Sequence, residues 1–165
     1  MPQINPVWKE KFYIGTELST GSTPDWTYSP RCAGIQGIAP SVNETTQTYY
    51  FMCGHGGADN EVTAIAPQYA VTGRRIIGDA AQDYIASLRY ALGDDRKSSM
   101  KVEIYNAADT LVETIVADVT ITDIVDFGGQ TEENEPFSCT LRVNGIPTVR
   151  NPLSRPFRGS WLGRV

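Results

Sequence analysis

The sequence predicts a mainly β protein, an antiparallel β-sandwich or partial barrel with one flanking α-helix. Six or seven segments have the period-two alternation or apolar character of strands, whereas a helical period occurs only within Val71–Lys97. Several strands with one helix are typical of a sheet that packs a helix on one face. The 165 residues, 41% hydrophobic and 20% charged, are enough for one domain with its own core.

The helix is the most clearly marked element. Asp79 is a good N-cap residue, and Gln82 follows three positions later, which is the spacing of a capping box. Gly93 predicts the end of the helix, because glycine readily adopts the left-handed conformation found there. The predicted rod of about 14 residues presents one face to the core. The residues on that face are Ala81, Tyr84, Ile85, Leu88 and Leu92.

The first third of the chain predicts short strands and loops. Lys11–Gly15 has the character of a short strand, and Leu18–Pro30, rich in Ser, Thr, Gly and Pro, is expected to be a loop. Arg31–Ala39 predicts a strand with a close backbone approach at Gly34 or Gly37.

A long excursion follows. Pro40–Asn60 is polar at first, aromatic at its centre and glycine-rich afterwards, so we expect a hairpin-like projection. Loops of this length in compact domains are usually functional or flexible. Val62–Ile76 predicts a long strand that feeds the helix and is interrupted or bulged at Pro67.

The second half contains the clearest strands. Ser99–Tyr105 alternates as a half-buried strand, Phe137–Val143 alternates likewise, and Asn144-Gly145 predicts a turn. Thr114–Phe127 is the most clearly marked strand, with Asp123 as the one polar residue on its apolar side. That side is predicted to hold Ile115, Ala117, Val119, Ile121, Val125 and Phe127. The other side is predicted to hold Thr114, Val116, Asp118, Thr120, Thr122, Ile124 and Asp126.

Charge is divided unevenly along the chain. All 19 acidic residues lie at or before Glu135, where nine cationic residues leave a formal charge of −10. The last 30 residues carry five arginines and no acid. This asymmetry predicts a basic C-terminal arm that docks on an acidic surface of the same copy or of a neighbour, the alternative being chance in a short tail.

Catalytic and metal-binding patterns are weak. The single histidine, His55, lies near Cys53, but two ligands do not complete a tetrahedral metal set. Gly73 and Gly78 before the helix suggest an anion site, yet Asp79 at the cap would repel phosphate. We therefore expect neither an enzyme nor a cofactor. Three widely spaced cysteines predict folding in a reducing cytoplasm without a disulfide framework, and nothing indicates a signal peptide or membrane anchor.

The polar side of the strand predicted at Thr114–Phe127 is a candidate channel wall. Double-stranded DNA carries one negative charge per about 1.7 Å of axis, so an acidic body binds it poorly but lets it slide. Thr120 and Thr122, flanked by Asp118 and Asp126, would suit such a wall. An ordinary solvated sheet face explains the pattern equally well.

Several motifs follow one another in a characteristic order. The central motif is Gly73-x-Arg75-x-x-Gly78-Asp79, followed by a helix with Gln82 and Tyr84 and then Leu92-Gly93. Further stretches accompany it, namely RCAGIQGIAPS at Arg31–Ser41, NETTQ from Asn43, YYFMCG from Tyr49 and RVNGIPT at Arg142–Thr148. In their order, these motifs resemble the tail tube proteins of long-tailed bacteriophages, and the resemblance covers most of residues 10–148. It divides the chain into an N-terminal arm (1–10), a tail tube domain (11–148, with a long loop at 40–60) and a basic C-terminal arm (149–165).

The resemblance implies a structural virion protein of the siphovirus type, without catalysis. Six copies would form a ring and close a β-barrel, and stacked rings would form the channel for DNA ejection into the host cell. The channel would be lined by Asp118, Thr120, Thr122 and Asp126, with the helix outside. The long loop, with Asn43, Glu44, Tyr49 and Tyr50, would reach the adjacent ring.

The implied partners are other copies, a tape measure protein and then double-stranded DNA in the lumen, and terminator and distal tail proteins at the two ends. The implied location is the virion tail, assembled in the host bacterial cytoplasm.

The C-terminal arm carries a hypothesis from its own residues. Arg150, Arg155 and Arg158 would pair with acids of an adjacent copy, while Phe157, Trp161 and Leu162 fill shallow apolar pockets. We expect the aromatic side chains to contribute more, because exposed ion pairs are worth only about 0.2–1 kcal/mol each.

Two alternatives stay open. The first is the inner tube of a contractile tail or of a type VI secretion-like apparatus, built on the same fold. The second is a monomeric β-sandwich that binds glycans through Trp26, Tyr49, Tyr50 and Trp161.

Overall fold

The computed structural model describes residues 6–18, 25–30, 33–130 and 133–151. It confirms a mainly antiparallel β fold with one flanking helix, α1, at Ala80–Ser87. Short 3-10 turns lie at Val7–Lys9, Met52–Gly54 and Gly93–Arg96. The strands are β1 Glu10–Leu18, β2 Trp26–Pro30, β3 Ile35–Ser41, β4 Glu44–Tyr50, β5 Ala58–Ile65, β6 Gln68–Arg74, β7 Lys97–Tyr105, β8 Leu111–Val125, β9 Pro136–Val143 and β10 Thr148–Arg150.

Eight of these strands form one antiparallel sheet. Its order is β2-β1-β7-β8-β9-β6-β3, and β10 pairs with the first part of β8. The borders of the sheet are therefore β2 and β3, which carry Pro30 and Pro40. Among the described strands, β4 and β5 pair only with each other and form a separate hairpin.

The core lies between the helix and one face of the sheet. Ala81 and Ile85 of α1 are fully buried against side chains from the central strands. Those side chains are Ile14, Val71, Met100, Val102, Ala117, Val119, Ile121, Phe137, Cys139 and Leu141. The alternation predicted for β7, for β9 and for the first part of β8 is confirmed by this set.

The helix begins as predicted but is shorter. The Asp79 carboxylate accepts a hydrogen bond from the Gln82 backbone N–H at 3.0 Å, so the N-cap is confirmed. The helix ends at Ser87, and Leu92, predicted to face the core, is 82% exposed. Arg96 explains the early end, since its guanidinium donates to the carbonyls of Arg89 and Ala91 and holds the chain in turns. Gly93 has the expected left-handed conformation (φ +61°), but it begins a 3-10 turn.

The predicted elements before the helix are partly revised. The expected loop over Leu18–Pro30 is wrong at its end, because pairing with β1 makes Trp26–Pro30 a strand despite its Ser and Pro content. The break at Pro67 is confirmed and separates β5 from β6. The close approach at Gly34 is also confirmed, since a Cβ atom there would lie 2.4 Å from the Arg74 carbonyl oxygen.

A β-bulge reverses the faces at the end of β8. Asp123 has φ +53°, and the pairing register with β9 shifts between Thr122 and Val125. Val125 and Phe127, predicted to be inward, are 44% and 57% exposed. Asp126, predicted on the polar side, is only 5% exposed. One extra residue explains all three corrections, because side chains alternate with a period of two.

Candidate assembly surfaces

The polar face of the sheet lies opposite the helix. It carries Asp118, Thr120 and Thr122, because these alternate with the buried residues of β8. Thr120 exchanges hydrogen bonds with the Asn144 amide, and Thr122 accepts one from the Arg142 guanidinium at 3.2 Å. Asp118 is exposed and makes no side-chain hydrogen bond or ion pair with another described residue. Three of the four predicted channel residues therefore share one face.

The fourth predicted channel residue, Asp126, lies on the helix side. Its two carboxylate oxygens accept hydrogen bonds from Nε (2.7 Å) and Nη2 of Arg89, just beyond α1. The Arg89 guanidinium also lies over the Phe127 ring, 4.5 Å from its centroid. The hydrogen bonds that Arg89 donates to Asp126 raise the pKa of Arg89 above its ordinary value. Asp126 therefore joins helix and sheet and is not placed with Asp118, Thr120 and Thr122.

The β4–β5 hairpin is exposed along both strands. Of the predicted inter-ring residues, Glu44 begins β4, and Tyr49 and Tyr50 end it. Asn43 has another role. It has φ +48°, accepts a hydrogen bond from the Ser41 hydroxyl and donates one to the Ala66 carbonyl at 3.0 Å, so it closes the base of the hairpin.

The tip of the hairpin is apolar. Tyr50, Phe51 and Met52 are 72%, 57% and 101% exposed, and the rings of Phe51 and Tyr49 stack 6.0 Å apart. The predicted contact set omitted Phe51 and Met52. The signal for them was present in the sequence, since Phe51 and Met52 continue the aromatic run of Tyr49 and Tyr50, and contiguous exposed apolar side chains commonly mark an interaction surface.

A groove lies on the helix side of the sheet, at the end where β6 and β8 finish. This helix-side groove has a volume of about 350 Å³ and is lined by Arg75, Ile77, Arg89, Asp126, Phe127 and Glu135. Ile77 is 80% exposed there. Sequence reasoning missed the groove, because Phe127 was expected to face the core and its lining residues come from distant segments.

A polar cluster on the opposite side of the sheet surrounds Glu103. Its carboxylate accepts hydrogen bonds from the hydroxyls of Tyr105 (2.9 Å) and Tyr13 (3.2 Å) and pairs with Lys101 at 3.1 Å. Burial alone would raise the pKa of Glu103, but Lys101 and the tyrosines outweigh burial and hold the pKa below its ordinary value. The cluster joins β1 to β7.

The other candidate residues are only partly described by the structure. Arg155, Phe157, Arg158 and Trp161 lie outside the described residues, whereas Arg150 is exposed in β10. Trp26 lies in β2, at one border of the sheet. The hairpin with Tyr49 and Tyr50 projects from β3, at the opposite border. Among the described residues, Trp26 therefore lies apart from Tyr49 and Tyr50, and these three side chains do not form the predicted glycan platform.

Cys53 and His55 lie at the hairpin tip. In the described ranges, no three His, Cys, Asp or Glu side chains are grouped so that they could hold a metal ion. The described helices are also too short to cross a membrane.

No protein-family model and no curated protein sequence matches this chain. Solved structures do share its fold. A chain in the tail of an empty GTA particle, computed with helical refinement and C6 symmetry, superposes with a TM-score of 0.63 at 14% identity, over 88% of this chain and 98% of that one. A chain in the tube-terminating cap of the anti-feeding prophage gives 0.57 at 14% identity, over 92% and 93%. A chain in the extended PVC sheath-tube complex, an extracellular contractile injection system, gives 0.52 at 13% identity, over 90% and 92%.

These similarities establish the fold class. The chain has a phage tail tube-like fold, shared with components of contractile injection systems and of a GTA tail. The siphovirus type is not distinguished from the others by this likeness.

Proposed function

We propose that this chain is a structural tube protein of a phage-tail-like particle, and that its copies form rings that stack into a tube. The observation that carries the proposal is the β4–β5 hairpin, whose 7 and 8 residues are all exposed in the single copy. A lone two-stranded hairpin is at best marginally stable in water, so contact with another copy supplies the packing it lacks. The shared fold with tube and tube-cap assemblies supports this role.

Within a ring, neighbouring copies pair through their sheet borders. Strands β2 and β3 have a partner on one side only in the described structure, and pairing between copies removes such open edges. Six copies per ring is the number supported by the C6 symmetry of the GTA tail. The face with Asp118, Thr120 and Thr122 then lines the bore, and α1 lies outside.

Between rings, the contact is head-to-tail. Such an interface joins two different surfaces and propagates, as a tube requires. The hairpin, with Glu44, Tyr49 and Tyr50, reaches the adjacent ring, and terminator and baseplate or distal proteins close the two ends.

The apparatus we favour is a contractile one, because a PVC sheath-tube complex is among the similar structures. Its bore holds protein cargo or none. The long flexible tail of a phage is the second candidate, with a tape measure protein and then double-stranded DNA in the bore. The exposed, unpaired carboxylate of Asp118 supports it, because such a wall does not hold phosphates. Copurification with a sheath protein supports the first candidate, and DNA protected from nuclease inside tubes supports the second.

The hairpin tip provides the test. Full-length protein at high concentration should form rings or rods by negative-stain microscopy. The triple variant Tyr50→Ser, Phe51→Ser, Met52→Ser should keep its far-ultraviolet spectrum, because these side chains are exposed, and should lose stacked tubes. Glu61→Gln on the same hairpin is the matched control and should keep them. Long tubes from the triple variant, or a wild-type protein that stays monomeric at every concentration, would contradict the proposal.

A further inference from the structure

The helix-side groove combines apolar walls with an unpaired negative charge. Ile77 and Phe127 are 80% and 57% exposed at its surface. The Glu135 side chain makes no hydrogen bond or ion pair with any other described residue, and it is exposed. Apolar side chains next to an unpaired carboxylate suit a ligand that has both aromatic and cationic groups.

The two arginines of the groove do not neutralise Glu135, because both are already paired. Arg75 binds Asp83 at 2.5 Å, and Arg89 binds Asp126 through two hydrogen bonds. Asp83 is counted with the groove because it pairs with Arg75. The carboxylates of Asp83, Asp126 and Glu135 then outnumber the two guanidinium groups by one, so this set of residues has a net negative charge.

We propose that the groove receives the C-terminal arm of another copy of this chain. The arm comprises residues 152–165, which contain cationic and large apolar side chains at close spacing and no acid. An arginine of the arm, Arg155 or Arg158, pairs with Glu135, while Phe157 or Trp161 packs against Ile77 and Phe127.

The direction of β10 selects a neighbouring copy. Arg150 pairs with Thr114 and Thr148 with Val116, so β10 runs towards the beginning of β8 and away from the groove. The 12 residues from Thr114 to Asp126 span about 40 Å along the strand, less any shortening by twist. Trp161 lies ten residues beyond Asn151, which gives a reach of about 33–36 Å when fully extended. To reach its own groove, the arm would have to turn back and run almost fully extended along the whole length of β8.

The β4–β5 hairpin is the competing occupant, and the net charge of the whole hairpin disfavours it. Residues 42–73, which include the hairpin, hold three acids, Glu44, Asp59 and Glu61, and no lysine or arginine. Repulsion between these acids and Glu135 opposes docking, whereas the basic arm is attracted.

This inference rests on the proposed head-to-tail stacking, and cross-linking in full-length protein tests the two separately. In a background with Cys32→Ser and Cys53→Ser, one variant carries Ser160→Cys in the arm and another carries Asn134→Cys beside Glu135. The buried Cys139 is retained. The two variants are mixed, assembled and treated with a short bis-maleimide.

Cross-linked dimers should form, and Glu135→Lys in the Asn134→Cys chain should abolish them, whereas Glu135→Gln should reduce them. Asp118→Cys on the opposite face is the control acceptor, and an equal yield there overturns the inference.

Cross-linking within one chain that carries both cysteines, without dimers, assigns the groove to its own arm and also overturns it. In a separate chain that keeps Cys53 and lacks Ser160→Cys, cross-linking of Cys53 to Asn134→Cys at a higher yield than that of the arm assigns the groove to the hairpin and overturns the inference. Tubes without arm cross-links overturn the inference alone, whereas failure of the wild-type chain to assemble overturns the proposed function.

Discussion

Asp118 and Asp126 show how far one residue type depends on its surroundings. Both were expected on the polar face, yet Asp118 is exposed and Asp126 is 5% exposed in a bidentate pair with Arg89. The bulge at Asp123 makes the difference. Asp123 itself, the one polar residue among the inward positions, was the sequence signal for that bulge, because aspartate tolerates the left-handed backbone better than most residues.

Glu103 carries a prediction on pH. Its folded-state pKa is lowered, so its contribution to the free energy of unfolding is fully present above the ordinary glutamate pKa of about 4.3 and is lost as pH falls through the folded value. Urea unfolding of Glu103→Gln should show lower stability than wild type at neutral pH and a smaller difference at pH 3. Glu61→Gln, on the exposed hairpin and away from the Glu103 cluster, is the control substitution. An equal loss from Glu103→Gln at both pH values would contradict this assignment.

At the scale of the elements, α1 depends on tertiary contacts more than on its own sequence. Eight residues form about two turns, which are not stable alone in water. Gln82 is 1% exposed and joins the helix to the sheet, since its amide oxygen accepts from the Ile76 N–H and its nitrogen donates to the carbonyls of Ala33 and Arg74. The spacing predicted that the Gln82 side chain would complete a capping box, but it forms hydrogen bonds with backbone groups of segments that precede the helix instead.

Gln82→Leu should therefore destabilise the fold strongly. It leaves three backbone groups without their partner, and each such group costs about 1–3 kcal/mol when buried. Asp79→Ala removes only the cap and should cost about 1 kcal/mol. Denaturant titration of both variants checks the order. A smaller loss for Gln82→Leu than for Asp79→Ala would show that the helix is held mainly by its cap.

At the scale of the whole molecule, the two faces and two ends of the sheet differ. One face carries the helix and the groove, and the other is polar at Asp118, Thr120 and Thr122. The hairpin and the exit of β10 lie away from the end that holds the groove. Different ends are what a head-to-tail stack requires.

Accessibility to a bulky reagent tests which face lines the bore. In the Cys32→Ser, Cys53→Ser background, a polymer-linked maleimide should modify Asp118→Cys in separated copies and fail to modify it in assembled tubes. Asp94 is exposed in the 3-10 turn at Gly93–Arg96, which follows the helix, so Asp94→Cys should react in both states. Protection of position 94 with free reaction at position 118 would place the polar face outside the tube.

Local physics explains what was predictable. The alternation of β7 and β9, the start of the helix at Asp79, the break at Pro67 and the close approach at Gly34 depend on residues near one another in sequence. The two candidate assembly surfaces, the hairpin tip and the helix-side groove, were predicted less completely. The aromatic run of the hairpin was visible, whereas the groove was not, because it joins Arg75, Phe127 and Glu135 from three segments.

By itself, the sequence determined the fold class, the strand periodicity and the contrast between an acidic body and a basic arm, since composition and side-chain alternation act locally. Only the tertiary structure decided that β2 and β3 form the borders, that Asp126 turns inward and that a net acidic groove lies at the end of the sheet opposite to where the arm leaves. The reason is register. Pairing between distant strands sets which side chains share a face, and one extra residue at Asp123 reverses that assignment.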